Sequence, residues 1–440
     1  MNLKKYLEAG KELSIEPYQV SYSTQTEMTV SLFNGVVDNQ TIGVSNDIGA
    51  RGIVDGKQGS FSTDAFDKDT PMLLAKEVKE SAKYGREVDK DTFFNGNAKY
   101  KKAKVFLAGF KESNLAELRQ LGERITKEAN SLDKRVSKVQ VDITMIQEEG
   151  LKVNSLGLNI KEKRRFYSAS IQVVCLDEKD QEPRSGDSYF TSFLGIQELE
   201  MKSHKAVKDA VKEAVDFFHS APVPTAKYKV VLTPASFSSL LSFYVGQLNA
   251  KSVHKNLSLF AGKKDTQIAS KALTIKNTPH VTSTSATSYD GDGVPTQDFT
   301  ILDKGVLKNY FYSRETAKED NTESNGCACG NGNGMPQVMT VKKGRLDKEG
   351  LIQKMNNGLI LTSINGLNSG IDGQTLNFSL PCSGYVVENG KIIKATSMIL
   401  CAGNLKDLFN AIVTTGNDVE EWGGIFTPSV LVKKIAISGK

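Results

Sequence analysis

The feature that most constrains the fold is a series of strand-like runs separated by turns and bounded on both sides by helical patterns. Within residues 18–63, β-favouring runs alternate with turn dipeptides such as Asn34-Gly35 and Asp55-Gly56, which is typical of an antiparallel meander. A helix is predicted before it, from Asn2 to Leu13, and Thr70-Pro71 predicts the start of another after it. The predicted strands are Val20–Ser23, Met28–Phe33, Gly43–Ser45 and Ala50–Val54, with a further turn at Asp47-Ile-Gly49.

The same order of patterns returns over residues 112–219. Asn114 and Glu117 have the spacing of a capping box at the start of a helix. Strand-like runs follow, and a helical pattern from Ser203 closes the segment. The sequence therefore predicts an α+β fold whose N-terminal half consists of two helix–meander–helix units. No sequence identity between the two segments supports a duplication.

A proline-rich stretch from Ser220 to Thr225 marks a boundary in the chain. After it, Ser236 is the predicted N-cap of an amphipathic helix, and strands alternate with long loops rich in Gly, Ser, Thr and Asn. We therefore predict a sheet-rich C-terminal domain with long loops at residues 223–440. The chain before it divides into an N-terminal α+β unit with a linker at 1–110 and a middle α+β unit at 111–222.

Composition excludes several classes of protein. The 440 residues include 56 basic and 51 acidic side chains spread along the chain, so nucleic acid is not an expected partner. No apolar run approaches the roughly 20 residues of a membrane span, and the N-terminal residues lack the apolar stretch of a signal peptide. Five cysteines without regular spacing favour a cytoplasmic chain with reduced thiols. Three of them lie in apolar strand-like runs and are predicted core thiols: Cys175, Cys382 and Cys401.

The histidines limit the metal chemistry open to this chain. They are His204, His219, His254 and His280, and no two lie three, four or five residues apart. A helix-borne zinc site needs two imidazoles on one face of the helix. We therefore predict no catalytic metal site of this kind, no bound cofactor and no alternative set of catalytic residues.

Loops after residue 280 are dense in polar, turn-forming residues and predict a loop-built cleft, where binding residues tend to lie. Cys327-Ala-Cys329 lies among glycines and could bind a soft metal or supply a thiol nucleophile. A structural loop that needs unusual backbone angles is the simpler interpretation of those glycines. Asp292, Asp372 and Asn404 are candidate cleft residues in other loops, and Asn404 also has the position of a helix N-cap.

Several sequence blocks, taken in order and spacing, resemble the C-terminal signature blocks of the TldD/PmbA family. They are Asp292-Gly-Val-Pro-Thr296, Gly305-Val-Leu-Lys-Asn-Tyr310, Ser383-Gly-Tyr-Val-Val-Glu-Asn-Gly-Lys-Ile392, and Ala402-Gly-Asn-Leu-Lys-Asp407 with Thr415-Gly-Asn-Asp418. In the N-terminal half, residues 49–59 resemble the first signature block of that family. The resemblance extends over nearly the whole chain.

The resemblance implies a cytoplasmic protein related to a heterodimeric metallopeptidase that trims small, unstructured peptides. Members were also named as proposed modulators of DNA gyrase. The TldD type carries H-E-x-x-x-H on a helix, and a later cysteine completes its zinc site. The TldE or PmbA type lacks this motif.

Matched to that motif, the predicted helix at residues 236–250 has lost the metal-binding side chains. Ser242 and Gln247 stand at the two histidine positions, and Phe243 stands at the glutamate position. The later cysteine would fall near residues 423–427, where the chain has none. A hydroxyl and an amide are poor zinc ligands and phenylalanine cannot act as a base, so the resemblance implies a metal-free TldE/PmbA-type subunit.

Three functional hypotheses follow. The first is a non-catalytic partner of a TldD-like zinc peptidase subunit, working on small peptides as a heterodimer or as a homodimer. The second is a self-sufficient hydrolase that uses Cys327 or Cys329 as nucleophile. The third is a regulatory protein that binds gyrase.

Overall fold

The computed structural model describes residues 3–103, 113–179, 181–192 and 195–440. The chain divides into two compact units, one of residues 1–215 with 288–295 and the other of residues 216–287 with 296–440. Within the described ranges, no helix combines the length and apolar character needed to cross a membrane. The boundary predicted between residues 110 and 111 lies outside the described residues, so the division into 1–110, 111–222 and 223–440 stays a prediction. Asn2, where the first helix is predicted to begin, also lies outside the described residues.

The first unit is built on one six-stranded antiparallel sheet in the order β3-β2-β1-β4-β5-β6. Pairing of β1 with β4 joins the two strand groups that the sequence separates, so the strands of both predicted units belong to a single sheet. The mixed α+β class is thereby confirmed. The elements are α1 Lys4–Glu12, β1 Tyr18–Phe33, β2 Val36–Val54, β3 Lys57–Thr63, α2 Thr70–Ala82, a 3₁₀ turn Lys90–Thr92, α3 Leu115–Leu132, β4 Val136–Asn154, β5 Asn159–Leu176, β6 Pro183–Ser192 and α4 Ile196–Asp216.

The strands of this sheet are longer than predicted, and the short runs predicted within residues 18–54 form only β1 and β2. The turn predicted at Asp47-Ile-Gly49 is wrong, because these residues pair with β1 on one side. Asn34-Gly35 and Asp55-Gly56 are turns as predicted, and all four residues have positive φ, as a type I′ hairpin turn requires. Polar and glycine residues inside a strand resemble turn residues in the local sequence, but pairing with strands on both sides can hold them extended.

The helices of the first unit lie on one face of its sheet. Val20 of β1 and Leu74 of α2 belong to one buried cluster, and a Cβ at Gly122 of α3 would meet Leu32 of β1. The capping box of Asn114 and Glu117 is confirmed at the start of α3, with both reciprocal hydrogen bonds present. Since side chains alternate along a strand, the residues between these buried positions, such as Ser21, face the opposite side of the sheet.

The second unit contains two six-stranded sheets and a two-stranded ribbon around one large apolar cluster. The sheets have the orders β10-β9-β8-β13-β19-β18 and β16-β15-β14-β7-β20-β17, and β11 pairs with β12. All three predicted core thiols are buried. The elements are β7 Ala226–Leu232, α5 Pro234–Gly246, α6 Ala250–His254, β8 Ile275–Asn277, β9 Phe299–Asp303, β10 Val306–Leu307, α7 Arg314–Glu319, β11 Ala328–Gly330, β12 Asn333–Gly334, β13 Met339–Val341, α8 Lys348–Met355, β14 Gly358–Ile364, α9 Leu367–Gly370, β15 Asn377–Glu388, β16 Lys391–Asn404, α10 Leu405–Asn410, β17 Ile412–Thr415, β18 Glu420–Trp422, β19 Ile425–Thr427 and β20 Val430–Ser438.

Candidate functional site

Helix α5 carries the three positions that the sequence matched to a metal motif. It begins one turn earlier than the predicted cap at Ser236, because Thr233 is extended and Pro234 occupies the first helical position. The helix ends at Gly246, so the predicted span to Ala250 is wrong and Gln247 is its C-cap residue. Its buried stripe anchors it in the apolar cluster through Phe237, Leu240, Leu241, Tyr244 and Val245.

Ser242 and Phe243 have structural surroundings. The Ser242 hydroxyl donates a hydrogen bond of 2.7 Å to the carbonyl of Ser239 in the preceding turn of the helix. Phe243 is half-buried and packs against the apolar cluster of the unit. A neutral hydroxyl is a poor zinc ligand, and the phenyl ring of Phe243 has no ligand atom.

Gln247 is buried, and both ends of its amide are hydrogen-bonded. Its Nε2 donates to the carbonyl of Gly373 at 2.6 Å, and its Oε1 accepts from the backbone N–H of Leu259 at 2.9 Å. Its own carbonyl accepts from the Ser258 hydroxyl at 2.6 Å. Gln247 therefore joins the end of α5 to two loops, and its neutral amide is a poor zinc ligand.

We predict that Gln247→Glu will destabilise the second unit by about 2–3 kcal/mol, because its carboxylate would face the Gly373 carbonyl in a buried position. The matched variant Ser242→Ala removes one half-exposed hydroxyl from the same helix and should cost less than about 1 kcal/mol. Denaturant unfolding of the two variants measures the difference. Equal losses would contradict the structural role of Gln247.

The β18–β19 hairpin packs against α5, at the place where the resemblance puts the later zinc-binding cysteine. Its turn is Gly423-Gly424, and both glycines have positive φ. No thiol is present in this hairpin. Within the described part of the chain, no group of three His, Cys, Asp or Glu side chains is arranged to hold a metal ion. The donor set on α5 and this hairpin does not fit zinc.

The Cys327-Ala-Cys329 segment forms a small hairpin close to the end of α5. Asn249, which lies between α5 and α6, donates to Asn333 Oδ1 at 3.0 Å and accepts from the N–H of Gly334 at 3.1 Å. Cys327 is fully buried, whereas Cys329 is exposed. A buried thiol is not positioned to attack a substrate, so only Cys329 retains the accessibility that a nucleophile needs.

Asp372 and Asn404 meet at one loop. The Asp372 carboxylate accepts from the hydroxyl of Thr375 and from the N–H groups of Gln374 and Thr375, and these bonds hold the pKa of Asp372 below its usual range. Asn404 donates to the carbonyl of Thr375 at 2.8 Å and caps α10, as predicted. Because Gln247 binds Gly373 of the same loop, three candidate residues belong to one hydrogen-bonded region of the second unit.

Asp292 belongs to the other unit. Its loop, residues 288–295, packs with the first unit, and Asp292 Oδ1 lies 3.4 Å from Arg51 Nη2. Lys152 donates to the carbonyl of Gly291 at 2.8 Å, and burial lowers the pKa of this lysine to about 8. Asp292 therefore contacts Arg51 of β2.

Two of the histidines are engaged with carboxylates in the second unit. His254 Nδ1 lies 2.6 Å from Glu319, and its Nε2 lies 2.9 Å from Asp320. His280 lies 3.3 Å from both Asp298 and Thr296.

Sequence reasoning missed Asn249, whose position before α6 is that of an N-cap, and its side chain accepts from the N–H of Lys251.

Comparison with known proteins places this architecture in a family. Three domain models of PmbA/TldA metallopeptidases match the chain: domain 1 at residues 18–82, the central domain at 109–217 and the C-terminal domain at 225–439. The chain belongs to the PmbA/TldD family. The family predicted from the signature blocks is thereby confirmed.

The relatives cover different shares of the chain. The metalloprotease PmbA homolog of Buchnera aphidicola is 28% identical over 292 residues, which span 65% of this chain and 62% of that protein. A crystal structure from Thermotoga maritima, named for a proposed modulation of DNA gyrase, matches with a TM-score of 0.89 and 27% identity over 99% of this chain and 98% of that one. The structure of TldE from Thermococcus kodakarensis has a TM-score of 0.86 and 18% identity, covers 99% of this chain and 100% of that one, and so shares the fold.

Proposed function

We propose that this chain is the metal-free, TldE/PmbA-type subunit of a two-chain metallopeptidase that acts on small, unstructured peptides. The observation that carries the proposal is the chemistry of the α5 positions Ser242, Phe243 and Gln247. In a family of metallopeptidases they supply no adequate zinc ligand and no base, and Gln247 serves instead to join loops. The zinc and its activated water would then come from a TldD-like partner.

We infer that this chain contributes peptide binding through a strand edge near α5. Strand β18 ends the order of its sheet, pairs with β19 and packs against α5. An extended peptide can pair its backbone with such an edge regardless of its side chains, which suits substrates without folded structure.

We also infer that each half of the first unit's sheet, with its flanking helices, corresponds to one helix–meander–helix unit.

The test is to mix this chain with a TldD-like chain from the same organism. We expect a stable heterodimer that contains zinc only in the partner, and peptide cleavage that disappears when the two histidines of the partner are replaced. Ser242→Ala in this chain should leave that cleavage unchanged, because its hydroxyl donates to the carbonyl of Ser239 within the same helix.

The outcome that would overturn the proposal is peptide cleavage by this chain alone. If Cys329→Ser then abolished the cleavage, the thiol hydrolase would replace the proposed function. Binding of purified gyrase in high salt would support the regulatory hypothesis instead. The cytoplasmic location stays a prediction.

A further inference from the structure

The edge strand β18 carries the only tryptophan of the chain, Trp422. In the pairing of β18 with β19, Trp422 lies directly opposite Ile425, which belongs to the apolar cluster around α5. Since directly opposite residues of paired strands share a face of the sheet, Trp422 lies on the face of the hairpin that is directed at this cluster. Its indole is half-buried, and in the described chain it is not among the side chains that pack against the cluster.

A carboxylate lies beside this ring. Trp422 Nε1 donates a hydrogen bond of 3.3 Å to Oε2 of Glu420, which is exposed and lies two residues earlier on the same face of β18. Glu421, between them, points to the opposite face, where its carboxylate accepts from the hydroxyl of the buried Ser283. This contact orients β18, so that the indole and the carboxylate of Glu420 lie side by side.

The chemistry of this pair favours a cation. The electron-rich face of an indole attracts an ammonium or guanidinium group within about 6 Å of the ring centroid. The carboxylate of Glu420 attracts the same groups, and its hydrogen bond to the indole keeps it close to the ring. Helix α5, which packs against β18, contains no charged residue and therefore does not repel a cation at this place.

We propose that Trp422 and Glu420 select a lysine or arginine side chain in the peptide that pairs with the edge of β18. This inference rests on the peptide binding at β18 described under the proposed function. Side chains directly opposite each other on antiparallel strands lie about 4.5–5.5 Å apart, so a peptide residue opposite Trp422 or Glu420 places its side chain next to both groups. Backbone pairing supplies affinity for any extended peptide, and this pair adds a preference for cationic ones.

Peptide titration of this chain alone tests the proposal, with the fluorescence of Trp422 as the readout. The probes are blocked peptides Ala-Ala-X-Ala-Ala in which X is lysine, glutamine or glutamate. We expect the lysine peptide to bind about fivefold tighter than the glutamine peptide, because a cation–π contact and an exposed ion pair each add a modest attraction. The glutamate peptide should bind most weakly. Isothermal titration calorimetry checks the affinities of variants in which the fluorescence itself changes.

Glu420→Gln should reduce the preference for the lysine peptide to about twofold or less. The matched control is Glu349→Gln, which removes an exposed carboxylate on α8 and should keep the full preference. Equal binding of the three peptides, a preference that survives Glu420→Gln, or no binding of any peptide would overturn the proposal. Cleavage by the zinc-containing heterodimer is measured separately, so a failure of the charge preference is distinguishable from a failure of the proposed function.

Discussion

Gly59→Ala will lower the free energy of unfolding of the first unit by about 2–3 kcal/mol. A Cβ at Gly59 of β3 would lie 1.9 Å from the carbonyl oxygen of Val78 and 2.7 Å from the nitrogen of Ala82. Both atoms belong to the backbone of α2, so neither can rotate away as a side-chain atom could. The helix would have to move off the strand, and the apolar contacts between them would loosen. Denaturant unfolding followed by far-UV circular dichroism measures the loss.

The matched control is Gly43→Ala in the same sheet. Its new methyl group would meet no atom within 4 Å, so the change in stability should stay within about 0.5 kcal/mol. Both variants alter the unfolded chain in the same way, and their difference therefore isolates the helix–strand approach. Similar stabilities of the two variants would mean that α2 does not rest on Gly59.

Phe409→Ala will destabilise the second unit by about 3–5 kcal/mol, the largest loss expected from a side-chain truncation here. Phe409 is fully buried on α10, and its ring stacks on Tyr244 of α5 with centroids 4.0 Å apart and planes 6° apart. Its ring also lies 5.5 Å from that of Phe237 on the same helix. Removing it opens a cavity between α10 and α5 and frees the helix that carries Ser242 and Phe243.

Trp422 reports this loss because it is the only tryptophan in the chain and lies in the second unit. Leu257→Ala is a suitable control, since Leu257 is 51% exposed and its truncation should cost less than about 1 kcal/mol. If the two variants unfolded at the same denaturant concentration, the stacked rings would not be what holds α5 in place. A heterodimer with weakened activity would be a further consequence under the proposed function.

Much of the local structure could be predicted from the sequence. The capping box at Asn114, the N-cap at Asn404 and the turns at Asn34-Gly35 and Asp55-Gly56 depend on residues a few positions apart. Strand lengths were predicted poorly, because polar residues in the middle of β1 and β2 resemble loop residues until both neighbours in the sheet are known. The predicted end of α5 is wrong because the apolar pattern of the sequence continues past Gly246, although the helix itself ends there.

In the candidate site, too, some features could be predicted from the sequence and others depend on residues far apart in the chain. The family resemblance predicts that Ser242, Phe243 and Gln247 stand at the motif positions, but it does not predict the hydrogen bonds of Gln247, because its partner Gly373 lies 126 residues away. The sequence grouped Asp292 with the other loops, whereas the structure places it on the first unit beside Arg51. Burial likewise separates Cys327 from Cys329, which are indistinguishable in the sequence.

The sequence by itself determined the family, the caps at Asn114 and Asn404 and the turns at Asn34-Gly35 and Asp55-Gly56, because each depends on which residues are present or on neighbours in the chain. Only the tertiary structure decided that β1 joins β4 in one sheet and that Gln247 joins two loops. The physical reason is that these features depend on hydrogen bonds and packing between residues far apart in the chain, which local propensity does not specify.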